Sequence, residues 1–226
     1  MSSLEPPIAD DEGAPSATRH NLQLGRRLFH LANGVGVATA YALFFTHEQL
    51  VHVFGAIACI VYILDRIRIA YPDVIARRAP WLNRTFLRAE EQVREAAMTP
   101  FAIAVLLTIL AVPKLAALVA IYTLGIADPL AAIIGIRFGR RRITHNRTFE
   151  GSAAFFLATA AVVAGVLYTG TMTEPATIAI VSAAVAFAAA MFELLPLRID
   201  DNLTIPLFVG FSSWIVFVLA GVRIAG

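Results

Sequence analysis

Long apolar runs, broken at short intervals by charged or Pro- and Gly-containing stretches, organise this chain. A helix needs about 20 mostly apolar residues to cross a bilayer. Seven segments meet or approach that length: roughly 28–46, 49–64, 97–112, 115–136, 152–170, 176–195 and 203–222. The last three are the clearest; the second and third are short, and the fourth carries a carboxylate, Asp128. The pattern predicts an all-α fold, a polytopic membrane helix bundle of about seven transmembrane helices. Neither a repeat of roughly 20–50 residues nor a duplicated half of the transporter kind is visible.

Two stretches break the pattern. Residues 72–95 place Trp81, Phe86 and Leu87 among Arg77, Arg78, Arg84 and Arg88. They read either as a cytoplasmic interfacial helical segment lying on the inner leaflet or as an ordinary basic loop. Glu90 and Arg94 stand four apart and could pair on such a helix. The N-terminal stretch is acidic and rich in Ser, Pro and Ala, which reads as a disordered tail and not as a signal peptide. The expected division is a cytoplasmic tail over 1–20 and a single integral-membrane domain over 21–226.

Composition supports the membrane reading: 58% of residues are hydrophobic and the mean hydropathy is +0.73, outside the soluble range. A single cysteine, Cys59, excludes an intrachain disulfide. The net charge of +2 says little, but the placement of charge says more. With seven spans, sixteen of the eighteen Lys and Arg residues fall on one side, leaving Lys114 and Arg223 on the other. Basic loops stay in the cytoplasm, so the N-terminus and the arginine-rich loops are placed there.

The polar residues that interrupt the spans collect on that same side. Positions 125, 128, 132, 135 and 139 are spaced 3, 4, 3, 4 and hold Gly, Asp, Ala, Gly and Gly, one helical stripe. Small residues let another backbone or a ligand come close, and helix packing alone accounts for Gly135 and Gly139. Asp128 needs more explanation, because an intramembrane carboxylate is expensive and marks function. Pro129 removes a backbone donor beside it, which predicts a locally opened helix lining a cavity. Next comes a loop with Arg137, Arg140, Arg141, Arg142 and Arg147, running into Thr148, Glu150, Gly151 and Ser152 at the start of the fifth span. Orientation by positive charge explains any one of these arginines. The whole cluster fits a phosphate: a helix N-terminus offers amides, Arg147 a forked donor, and Glu150 a ligand for a bridging divalent cation. At the last cytoplasmic loop, Asp200, Asp201, Asn202 and Thr204 precede a span. Asp201 suits Mg²⁺ coordination or proton abstraction, while Asn202 also suits a helix cap. Near the N-terminus, Arg26, His30 and Gly34 share a face, with Arg27 beside them. Glu193, near the end of the sixth span, reads as a ligand or as an interfacial residue. His47, His52, Cys59 and Glu174 fall on or toward the far side and receive no role. There is no Walker loop, dinucleotide fingerprint or zinc spacing, and nothing points to nucleic acid.

These motifs resemble the CTP-dependent lipid kinases, the family of dolichol kinase, phytol kinase and the fungal CTP-dependent diacylglycerol kinase. The resemblance lies in Arg26-Arg27-x-x-His30-x-x-x-Gly34, Asp128-x-x-Ala131-x-x-x-Gly135-x-x-x-Gly139, Glu150-Gly151-Ser152-x-Ala154-x-Phe156 and Asp201-Asn202-Leu-Thr204-x-Pro206. It runs in the same order from about residue 24 to 222. Arg147 and Thr148 stand where the family often has lysine and serine, and Ile136 where a basic residue often follows Gly135. The resemblance implies transfer of the γ-phosphate of CTP to the hydroxyl of a membrane lipid alcohol drawn from the inner leaflet. With it come Mg²⁺ or another divalent cation on Asp128, Glu150 and Asp201, and a triphosphate held by Arg140, Arg141, Arg142, Arg147, Thr148, Gly151, Ser152, Gly135 and Gly139. Asp201 or His30 takes the hydroxyl proton, and Arg26, Arg27, Gly34 and Asn202 contact the substrate. The rival readings are CDP-lipid synthesis of the phosphatidate cytidylyltransferase kind and a non-enzymatic transporter or lipid-binding protein.

Overall fold

The computed structural model describes residues 16–72, 98–144, 147–196 and 201–223. Among them the chain forms helices and no strand: α1 (Ser16–Phe44), α2 (His47–Ala70), α3 (Met98–Ala111), α4 (Lys114–Tyr122), a π turn (Thr123–Ala127), α5 (Asp128–Phe138), α6 (Phe149–Gly170), α7 (Pro175–Glu193) and α8 (Asp201–Leu219). α1 thus begins inside the stretch assigned to a tail. The basic segment expected at the interface lies, beyond residue 72, outside the described residues, as do Glu90 and Arg94.

α4, the π turn and α5 run on as one helix, Lys114–Phe138. With α2, α6, α7 and α8 it gives, among the described residues, five helices long and apolar enough to cross a membrane, while Leu31–Phe44 and Met98–Ala111 are shorter apolar helices. Each of the seven expected segments is therefore helical, and five reach spanning length. Lys114–Phe138 is the central helix: 61% of its apolar window is buried, against 22–39% for the other four. Around it Val105, Ile109, Val163, Leu167, Val185, Val209 and Phe217 fill the core. Outward faces stay apolar, with Ile60 and Leu64 on α2, Leu157 on α6, Phe187 on α7 and Ile215 on α8 exposed. Such an exterior matches lipid, where backbone polar groups must be paired within helices.

Short turns force neighbouring helices to run antiparallel. α2 starts with a capping box, in which Gln49 N–H donates to Thr46 Oγ1 (3.2 Å) and Thr46 N–H to Gln49 Oε1 (3.0 Å). Pro175 opens α7, where a missing N–H costs nothing. At one end of the bundle Lys114 Nζ donates to the Phe45 carbonyl (2.8 Å) and lies over the Tyr41 ring, and the Tyr41 hydroxyl meets His47 Nδ1 (2.6 Å). The α1–α2 and α3–α4 turns are thereby tied together. The opposite end receives the C-termini of α5 and α7 and the N-termini of α6 and α8, and there the polar motifs meet.

Candidate functional site

The site begins with a fault in the central helix. At the π turn, Asp128 N–H bonds to the Thr123 carbonyl, five residues back. Pro129, which follows, has no N–H to give. The helix opening expected beside Asp128 is this π turn, a feature frequent at functional sites. The turn also carries Gly125, which packs backbone to backbone against Gly34 of α1. A Cβ on Gly34 would lie 2.5 Å from Gly125 Cα, and one on Gly125 2.9 Å from Gly34 Cα. The close approach of the two helices accounts for a glycine at position 34.

The small stripe continues in the same sense. A Cβ on Gly151 would meet the Ala131 carbonyl at 3.0 Å and Gly135 Cα at 3.2 Å; one on Gly139 would overlap the Gly135 carbonyl and Thr148. These glycines let α5 and α6 cross closely.

Between α5 and α6 the chain folds into a tight hairpin. Phe149 N–H donates to the Arg141 carbonyl (2.8 Å), Ile143 and Thr144 N–H to the Arg147 carbonyl (3.0 and 3.3 Å), and Thr148 Oγ1 caps α6 by accepting from Gly151 N–H (3.2 Å). Glu150 Oε2 accepts from the amides of Arg140 (3.1 Å) and Arg141 (3.4 Å). Two expectations change here. The first amides of α6 are already used: Phe149 by Arg141, Gly151 by the Thr148 side chain, Ser152 by the Thr148 carbonyl, and Glu150 by its own carboxylate. They do not form an open anion cradle. Glu150, for its part, braces the hairpin, and its charged neighbour is Arg141, not Asp128 or Asp201. The side chains of Arg140, Arg141 and Arg142 are exposed. Arg137, Phe138, Gly139, Arg140 and Glu150 line a cleft of about 420 Å³.

Arg147 leaves the hairpin in the other direction. Its Nη1 lies 2.8 Å from Glu193 Oε1 at the end of α7, and its Nη2 donates to Asp201 Oδ2 (2.7 Å) at the start of α8. Ser152 Oγ donates to Glu193 Oε2 at 3.1 Å. The two carboxylates differ in access: the Glu193 side chain is 2% exposed and that of Asp201 54%. Partly buried Asp128 lies within electrostatic reach of Arg147, Asp201, Glu193 and Arg27. Three carboxylates from three helices thus surround one guanidinium, with a second near by. Thr148 acts as a cap and Ser152 as an anchor for Glu193. Asn202 and Arg27 are half-buried. Arg26 and His30 lie on α1, with side chains outside the described structure.

Among the described residues no three His, Cys, Asp or Glu side chains gather closely enough to hold a metal ion. Asp128 and Asp201 share a neighbourhood that Glu150 does not join, so one ion on all three does not fit this geometry. A pair of carboxylates does fit Mg²⁺, which is commonly held by one or two carboxylates together with substrate phosphates.

No family model, curated protein or solved structure matches this chain. The site therefore stands on its geometry.

Sequence alone leaves Glu193 as a ligand or an interfacial residue, whereas the structure puts it at the centre of the cluster. Nor does sequence single out the buried pair Asp65–Arg68. Asp65 Oδ1 accepts from Arg68 Nε (3.0 Å) and Nη2 (2.6 Å), and its Oδ2 accepts from Thr99 Oγ1 (3.0 Å). Opposite charges three apart on a helix were the available signal.

Proposed function

We propose that this chain is a membrane-embedded phosphotransferase of the CTP-dependent lipid kinase type, moving the γ-phosphate of CTP to a lipid alcohol on the cytoplasmic face. The observation that carries this reading is the Arg147 centre. It is a guanidinium held among Asp128, Glu193 and Asp201, at the arginine-rich end of the bundle. Phosphoryl transfer asks a protein mainly for positioning and for neutralisation of phosphate charge. Arg147 supplies the forked donor, and the exposed Arg140, Arg141 and Arg142 raise the local concentration of a polyanion. Asp128 and Asp201 are the residues that would hold Mg²⁺, which when bound neutralises phosphate oxygens.

In the proposed reaction the alcohol oxygen attacks the γ-phosphorus as the bond from that phosphorus to the β-bridging oxygen breaks. The hydroxyl proton passes to the Asp201 carboxylate, or to His30, and CDP departs with the bond's electron pair. The lipid tail lies between helices and its hydroxyl at the interface, so that the alcohol approaches sideways from the inner leaflet. A transporter would instead need polar groups deep in several spans and reaching both faces.

The test is label transfer in membranes expressing the chain, with CTP labelled separately at the γ and α phosphorus and a panel of lipid alcohols and phosphatidate. Lipid labelled only from the γ position supports a kinase and names its alcohol. Lipid labelled from the α position makes the chain a CDP-lipid synthase. No label from either overturns the enzymatic reading.

A further inference from the structure

The two carboxylates that hold Arg147 are not equivalent, and the difference has a direction. Glu193 is sealed: its side chain is 2% exposed, one oxygen accepts from Ser152 Oγ and the other faces Arg147 Nη1. Asp201 is 54% exposed and meets Nη2 at the first residue of α8. The Arg147 side chain is itself 21% exposed, so the pair with Asp201 lies at the edge of the cluster. An incoming phosphate needs a pair of N–H donors on one guanidinium edge. The edge toward Glu193 cannot be vacated without leaving a carboxylate buried and uncompensated, a severe penalty. The edge toward Asp201 can, because an exposed ion pair is worth little and water receives the released carboxylate.

The geometry points to Glu193 as the fixed positioning residue of Arg147 and to Asp201 as an exchangeable occupant that the nucleotide's terminal phosphate displaces. Ser152 fixes Glu193, Glu193 aims Arg147, and the phosphate takes the Nη2 edge. Displacement also releases the Asp201 carboxylate beside the phosphate that has just bound, so the group proposed to accept the alcohol's proton is freed only once the donor is in place. The inference rests on the nucleotide reading above and adds to it an order of events and a role for Glu193.

The sign of two substitutions separates this arrangement from simple charge repulsion. If carboxylates near the site merely repel an anion, neutralising either one tightens nucleotide binding. If Asp201 competes for Arg147 while Glu193 aims it, the two substitutions act in opposite directions. The measurement is equilibrium binding of radiolabelled CTP to the purified full chain in detergent, with EDTA present so that no cation bridges Asp201 to the nucleotide. Asp201→Asn should tighten binding about three-fold, the scale of an exposed ion pair. Glu193→Gln should weaken it about ten-fold, as expected when a buried charge partner is lost. Ser152→Ala, which keeps every charge and only loosens Glu193, should weaken it about two- to three-fold. It also guards against a Glu193→Gln protein that fails to fold. Tighter binding in both carboxylate variants, or no weakening in Ser152→Ala with Glu193→Gln unchanged or unfolded, overturns the positioning role. Wild-type binding seen only with Mg²⁺ overturns the exchange at Nη2. A wild type that binds CTP in neither condition overturns the nucleotide reading itself, a result distinct from the others.

Discussion

Among the described residues two clusters of charge lie in this bundle, and they are built on opposite plans. In the first, Asp65 on α2 accepts two N–H bonds from Arg68 and one from Thr99 on α3, and Asp65 and Arg68 are each 5% exposed. A carboxylate and a guanidinium close on each other, away from water. In the second, Arg147 faces Glu193 and Asp201 with Asp128 close by, and the cluster opens to solvent through Asp201. A buried pair, bonded to itself and to the next helix, locks two helices and presents no exposed edge to a ligand. A cluster that, among the described residues, sets three carboxylates around Arg147 and Arg27 and has one exposed edge retains an edge to offer a ligand. Charge in the membrane is expensive in both places, so what separates structure from function is whether the cluster is complete.

The sharpest way to break that contrast is to remove one carboxylate from each cluster. Asp65→Asn removes the buried carboxylate that accepts two of Arg68's N–H bonds and should cost about 3–5 kcal/mol of stability. It should leave phosphotransfer per folded molecule unchanged. Asp128→Asn should do the reverse. It removes the desolvation cost of a buried carboxylate, and the lost attraction to Arg147 and Arg27 is set against relieved repulsion from Asp201 and Glu193. The unfolding midpoint should therefore change little, while turnover drops by about 100-fold or more, the scale of losing one preorganised electrostatic contact. Circular dichroism melts in detergent and label transfer in membranes, made on both variants, read the two axes. If Asp65→Asn loses activity without losing stability, or Asp128→Asn loses stability without losing activity, completeness is the wrong criterion.

Residue pattern made the bundle legible and the wiring of its site much less so. Hydropathy locates the seven apolar segments that are helical among the described residues, because lipid demands long apolar runs. The small stripe Gly125–Gly139 is visible as a place of close approach, but a glycine that admits a ligand and one that admits another helix look the same in sequence. Only the structure shows Gly34 filling the space over Gly125, and Gly151 that over Gly135. Glu150 seemed a metal ligand beside an arginine loop; its engagement with the Arg140 and Arg141 amides depends on a hairpin that residue types do not encode. Glu193 was visible as a carboxylate at the end of a span. Its meaning comes from Ser152, 41 residues away, and from Arg147. Pairings at that separation have no local signature.

The α1 contact tests how far the second cluster depends on its surroundings. Gly125→Ala forces a methyl against the Gly34 backbone, where neither helix has a side chain that can move aside. Overpacking of this kind should cost about 1–3 kcal/mol. It should also reduce activity, because α1 carries Arg27 toward Asp128. Gly165→Ala, on the same fold where nothing lies within 4 Å of the added Cβ, should change neither. Equal melts for the two variants would mean that the Gly34–Gly125 contact is not tight in the folded protein.

The smallest expected effect is the most discriminating, because it compares one chemistry at the two ends of the bundle. Thr46 and Thr148 are both N-caps whose hydroxyl accepts an amide three residues on, each at 3.2 Å. Replacing either with alanine should cost about 1 kcal/mol of stability. Thr46 starts α2 at the end without the acidic cluster, and the consequence should stop there. Thr148 adjoins Arg147, and its hydroxyl also packs under Gly135 and Gly139, so its loss frees the hairpin that aims the guanidinium. Thr148→Ala should therefore lower kcat/KM several-fold beyond what its melt predicts, and Thr148→Ser, which restores the cap, should recover most of it. If both threonine variants lose stability equally and neither touches activity, the hairpin is only a connection, and Arg147 owes its aim to Glu193 alone.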